Sequence, residues 1–179
     1  MKFAKTSLKA MFAVAGMVVA SSSFAYSIAG GGTTTDYTGG TYASYGGLSL
    51  PCSVDFHLTL NSGGSTAEVD SVTINGSSAC SAVTVNVAGS NHDSSQPYSS
   101  WHVSTAVSIG GTQYSVTISN VWIKIPYLNN VVCTGTVSGT MDNSNGSFTF
   151  TSNLSASNGG QCAVGSNPSL SSSPKVTAP

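Results

Sequence analysis

From Cys52 onward the chain alternates. Cys52, Val54, Phe56, Leu58 and Leu60 share one face of an extended segment, and Ser53, Asp55, His57 and Thr59 share the other. That is the period-two signature of a half-buried strand. "NSGG" turns the chain, and Val69, Val72 and Ile74 mark the return, with a slip of parity near Asp70–Ser71. Val83, Val85 and Val87 form another alternating run, and "SNHDSSQPYSS" reads as a polar loop. Trp101, Val103, Val107 and Ile109 then alternate up to Gly110-Gly111, a hairpin turn. Tyr114, Val116 and Ile118 fall on even positions, whereas Val121, Ile123 and Ile125 fall on odd ones. The switch at Ser119–Asn120 predicts a β-bulge or a bend between strands. After Cys133 come Val137, Met141, the "DNSNG" turn, Phe148 and Phe150, and Leu170 with Val176 offers a short last strand. The pattern predicts an all-β fold, an antiparallel β-sandwich of about eight to ten short strands.

The N-terminus does not share this pattern. Lys2, Lys5 and Lys9 precede an apolar run from about Ala10 to Ala20, and Ser23 and Ala25 stand at −3 and −1 of a cleavage site. This is the layout of a secretory signal peptide over residues 1–25, with an apolar run too short to span a bilayer. No later stretch is long and apolar enough to be a transmembrane helix. Residues 26–47 are rich in Gly, Thr and Tyr and read as a loose arm, which becomes a strand when it meets a partner. Residues 48–179 form the single sandwich domain.

Export places the four cysteines in an oxidising compartment, where disulfides persist. Three pairings are open. Cys52 and Cys80 bracket one alternating stretch, and Cys133 and Cys162 bracket another of similar length. That bracketing favours Cys52–Cys80 and Cys133–Cys162, each a staple across a hairpin. There is no CxxC and no histidine at metal-ligand spacing, so metal binding is not expected.

Beyond the signal peptide only Lys124 and Lys175 remain, with no arginine, against Asp36, Asp55, Glu68, Asp70, Asp93 and Asp142. Such a chain has almost no cations with which to displace counterions from phosphate, which excludes nucleic acid as a partner. Catalytic signatures are missing too. His57 sits beside Asp55 on a polar strand face, His92 lies in a turn-rich loop, and His102 points away from the Trp101 face. There is no GxSxG elbow, phosphate loop, dinucleotide fingerprint or zinc-protease motif. No cofactor and no enzymatic activity are expected.

The order "LSLPCSVDFHLTL", "AEVDSVTINGSSAC", "TISNVWIKI", "CTGTVSGTMDNSNGSFTF", "LSASNGGQC" and "NPSL" resembles the protein activator of alkane oxidation family (PraB-like), small secreted bacterial proteins linked to growth on hydrocarbons. The resemblance spans about residues 48–177 and implies help with alkane use, the oxidation itself being done by another enzyme. Oxidising an alkane needs a metal or flavin centre, and the sequence carries no site for either. The expectation is therefore a secreted, non-enzymatic accessory protein, exported through the periplasm to the cell surface or the oil–water interface. Its partners are then hydrocarbon and further copies of itself. The alternative is a fibre or biofilm-matrix subunit that polymerises by strand donation, with Tyr26, Tyr37, Tyr42 and Tyr45 of the arm at the interface.

Overall fold

The computed structural model describes residues 34–61, 66–104, 106–166 and 170–171. The signal-peptide and Tyr26 readings lie outside these residues, as does Val176. Gly46 and Gly47 have φ of +59° and +82°, the pattern of a two-residue type I′ turn. They join β1 (Thr34–Tyr45) to β2 (Leu48–Leu60) in register from Tyr45↔Leu48 to Thr34↔Thr59. β3 (Ala67–Asn75) pairs with β2, and the register shifts between His57 and Leu58. Asp70 is the extra residue there, which accounts for the slip of parity in the sequence. A four-residue helix α1 (Ser78–Ser81) follows, the only helix among the described residues. Then come β4 (Thr84–Val85), β5 (Trp101–Val103) and β6 (Val107–Gly110), all of which pair with one side of β7 (Gln113–Ile125).

β8 (Val131–Asp142) pairs with β7 along its whole length, with a shift between Ile118 and Val121. The parity switch is thus a bulge inside one strand, with Asn120 at φ +61°. β9 (Ser147–Phe150) and β10 (Leu154–Ala156) share the next position, both bonded to β8. β11 (Gln161–Ser166) and β12 (Leu170–Ser171) share the last, and both pair back onto β1. The sheet therefore closes into a barrel of eight strand positions.

The sandwich expectation is corrected by that closure. Alternation predicts one wet and one dry face per strand, and barrels and sandwiches share this property. What separates them is a pairing such as Thr41↔Ser166, which local periodicity does not encode. The bulges at Asp70 and Ser119–Asn120 coil the sheet enough to meet itself. Two glycines admit rings where a side chain would collide. A Cβ on Gly139 would lie 2.1 Å from the Phe148 ring, and one on Gly165 would lie 2.4 Å from the Tyr42 ring.

The arm reading is corrected as well. From Thr34 the segment is β1, bonded to β2 on one side and to β11 and β12 on the other. Glycine raises the entropy cost of ordering it, but pairing along both edges offsets that cost. Trp101 and Val103 face the core as predicted, whereas Val107 and Ile109 are 60% and 54% exposed. The run is broken between β5 and β6, and β6 adds to β7 beyond the packed interior.

The disulfides are Cys52–Cys80 and Cys133–Cys162. The first joins β2 to α1, just past β3, and so closes the open end of the β2–β3 hairpin. The second joins β8 to β11 with the β9/β10 position between them, so it brackets three strand positions and not a hairpin. The two stretches are not structural duplicates.

Two predictions follow from these constraints. Non-reducing peptide mapping should recover Cys52–Cys80 and Cys133–Cys162 peptides and no crossed ones. Replacing either pair by alanine should lower the unfolding free energy by about 2–4 kcal/mol, read by denaturant titration. The second concerns acid. In the β8–β9 turn, Asp142 Oδ1 accepts from the Ser144 hydroxyl at 2.6 Å, the Ser144 N–H at 2.9 Å and the Thr112 hydroxyl at 2.8 Å. These bonds, the Ser144 hydroxyl first, hold its carboxyl at about 2, below the ordinary 3.8. A lowered folded-state pKa stabilises above the unfolded value and ceases to do so as pH falls through the folded one. Melting temperature should therefore drop between about pH 4 and pH 2, and Asp142→Asn should make that slope shallower.

Candidate functional site

The inward positions of the alternating strands meet inside the ring and do not fill it. A void of about 80 Å³ is lined by Leu50, Val54, Ile74, Ile123, Ile125 and Leu154, among other apolar side chains. Cys52 and Cys133, one from each disulfide, also reach it. A second void of about 30 Å³ lies between Tyr37, Leu58, Val69, Val103, Met141 and Leu170. Phe56 and Ile118 line both voids and stand between them.

The registers place these voids in opposite halves of the barrel. The larger lies toward the end that carries the Gly46–Gly47 turn and the 126–130 loop. The smaller lies toward the end with the Gly111–Thr112 and 143–146 turns. Aromatic rings run from one half to the other. Tyr37 meets Phe148 edge-on at 6.0 Å, Phe148 meets Phe150 at 5.1 Å, Phe150 meets Phe56 at 6.3 Å, and Phe56 meets Trp101 at 6.3 Å. Tilted and edge-to-face contacts in this range are the favoured ones. Trp101 spends its only donor inside the wall, giving Nε1–H to Asn86 Oδ1 at 2.7 Å.

The lining contains no charged group among the described residues, and Thr41 brings the only aliphatic hydroxyl to the larger void. Such a cavity is dry, because a buried water needs two to four polar partners. It offers almost no polar partner to a water and nothing to orient a polar head.

Charge is kept to the outer wall. His57 Nδ1 lies 2.5 Å from Asp36 Oδ1 across the β1–β2 ladder, and His102 Nδ1 lies 3.3 Å from Glu68 Oε1 across β3–β5. His57 is thus paired across strands with Asp36 and not along its own strand with Asp55. Both pairs are substantially exposed, which makes them weak contributors to stability. His92 stacks on Tyr98 with centroids 3.8 Å apart. Asp93 accepts from the Ser95 hydroxyl at 2.6 Å and from Lys124 Nζ at 2.9 Å, bonds that hold its carboxyl well below the usual carboxylate range. Through that ion pair the loop between β4 and β5 is tied to β7.

The described arm tyrosines, Tyr37, Tyr42 and Tyr45, do not form one surface. Tyr37 is buried in the core, Tyr42 lies over Gly165 on the wall, and the Tyr45 hydroxyl donates to the Gly159 carbonyl at 3.1 Å. The cysteines meet as the bracketing favours. The sequence gives Phe56, Phe148, Phe150 and Trp101 as core residues, and nothing in their spacing separates a filled core from one with voids. No group of three or more His, Cys, Asp or Glu that could hold a metal ion occurs among the described residues.

Neither the curated proteins nor the solved structures give a match to the chain. Among protein families, the alkane oxidation protein activators described as PraA/PraB-like match it over residues 1–178. A match of that extent takes in the whole barrel, and the chain therefore belongs to the PraA/PraB-like family of alkane oxidation protein activators.

Proposed function

We propose that the protein is a secreted, non-enzymatic accessory factor that takes hydrocarbon into its barrel and makes it available to the oxidising enzyme at the cell surface or the oil–water interface. The observation that carries this reading is the void of about 80 Å³ with an almost wholly apolar lining. Protein interiors are close-packed, and voids larger than a water molecule are few. A hydrocarbon gains about 0.8 kcal/mol for each methylene moved from water into such a space. The two disulfides support an oxidising location, where such bonds persist.

The test uses residues 26–179 as purified protein, added to cells that lack the gene and are growing on n-decane. Addition should raise the rate of alkane oxidation, and the pure protein alone should leave the alkane unchanged. Val137→Phe places extra carbon in the larger void, which Val137 lines. It should cut hydrocarbon bound per protein at least tenfold while both disulfides still form. An equal effect from the variant, or oxidised product made by the pure protein, would reject the proposal.

A second reading, self-association into a surface layer, is favoured by β6. Among the described residues β6 pairs only with β7, and its Val107 and Ile109 side chains are exposed. No charge or proline guards this strand, and an unguarded edge recruits another strand. Ile109→Lys should then abolish any high-molecular-weight species seen by light scattering at an oil–water interface. An unchanged size distribution, or a wild-type protein that stays monomeric there, counts against it.

A further inference from the structure

The wall of the barrel is not a continuous ladder between β3 and β4. β5 pairs with β3 only at Ala67–Val69, and among the described strands β4 pairs only with β7. From Ser71 to Asn75 no described strand bonds the edge of β3 that faces β4. Asp70, the extra residue of the β2–β3 bulge, stands where that pairing stops, and a bulge bends the strand that carries it. The parting leaves a slot of about 120 Å³. Val72, Ile74, Val83 and Val85 line it from the two sides, and Ser90 and Asn91 of the loop between β4 and β5 line it as well. Val72, Ile74 and Val83 also line the larger void. Side chains, and no backbone ladder, therefore separate the slot from the interior.

We infer that this slot is a side door to the larger void, and that the segment Gly89–Asp93 closes it, hinged on β4 and β7 and parting from β3. The use of such a door rests on the proposal that the barrel takes up a guest.

The bonds on the two sides of the segment are unequal. Toward β4 and β7, the Val85 N–H donates to the Asn91 carbonyl at 2.9 Å, and Asn91 Nδ2 donates to the Val83 and Ser81 carbonyls at 2.8 and 3.0 Å. Lys124 Nζ adds the ion pair to Asp93 Oδ2 at 2.9 Å. Toward β3 there is one hydrogen bond among the described residues, from the Val72 N–H to Ser90 Oγ at 2.6 Å. The rest of that side is close contact. A Cβ on Gly89 would lie 3.2 Å from Ser71 Cβ, and Gly89 takes φ +72°. Parting from β3 thus breaks one hydrogen bond, whereas leaving β4 breaks three and an ion pair. Once the segment has parted, three branched side chains bar the way, and they move without breaking any hydrogen bond. Entry between β1 and β2, or between β7 and β8, would break a long ladder instead.

The test places a single thiol inside purified residues 26–179, whose four native cysteines are all in disulfides. Val137→Cys, which lines the larger void and not the slot, reports entry. Val116→Cys, which lines the smaller void, reports loosening of the whole barrel. Each thiol is modified with methyl methanethiosulfonate, and the rate is read by mass spectrometry. Ser90→Ala removes the bond to β3. It should raise the rate at position 137 about two- to tenfold, the range that one hydrogen bond sets, and leave the rate at position 116 unchanged. Ser71→Cys combined with Gly89→Cys puts two Cβ atoms within a few tenths of an ångström of disulfide spacing. That bridge should lower the rate at position 137 at least tenfold. An equal rise at both positions, no rise at position 137, or a bridged protein that reacts as fast as its parent overturns the door. Peptide mapping shows whether the bridge has formed, and where it has not, the Ser90→Ala comparison decides. The thiol rates involve no hydrocarbon. A closed wall therefore leaves uptake through an end of the barrel standing, and a barrel that binds no hydrocarbon leaves the door standing.

Discussion

The backbone hydrogen bonds that join β1 to β11 and β12 hold together the two ends of the fold. Residues 41–44 pair with 163–166, and the Thr41 hydroxyl adds a 2.6 Å bond to the Gly165 carbonyl. Without this seam the sheet has two free edges, and its apolar face has nothing to pack against but itself. With it, every inward side chain faces others across the ring. The voids, the aromatic rings between them and the disulfide-bearing end all come together because the sheet meets itself.

Closure also explains why the interior stays incompletely filled. An eight-position barrel has an interior just wide enough for side chains to fill. Here β-branched residues dominate the larger half, with Val54, Val72, Ile74, Val83, Ile123 and Ile125 among its lining. Their short, stiff side chains stop before the axis. Aromatic rings reach further, with Trp101 and Phe150 in the larger half, Tyr37 and Phe148 in the smaller, and Phe56 between them. An interior of this kind offers apolar space and almost no polar group.

Much of the wall was legible in the sequence, and for a physical reason. Strand faces, the bulge at Ser119–Asn120, the slip at Asp70 and the disulfide partners depend on neighbours near in sequence or on simple bracketing. Closure depends on residues more than a hundred positions apart, and nothing local distinguishes β1 from a free arm. The Gly/Thr/Tyr composition misled here, because it reports the entropy of the unpaired segment and not the bonds that offset it. His57 was legible as solvated but its partner was not, since Asp36 reaches it only through the β1–β2 register. The voids lay beyond sequence reasoning altogether, because cavity volume is a small difference between the space the ring encloses and the side chains that enter it.

The disulfides bear on the order in which the fold is reached. Each spans fewer than thirty residues of separation, 28 and 29, whereas the seam joins positions such as Thr41 and Ser166. Loop closure costs more entropy as the loop lengthens, and contacts of long range slow a β-topology. Both bridges can therefore form while the ring is still open, and each leaves the chain with fewer conformations to search. Seam pairing requires β11 and β12, which follow every other described strand in the chain, and so it comes after them. Until then the future interior is an exposed apolar face, and the newly made chain is itself a hydrophobic ligand in need of cover.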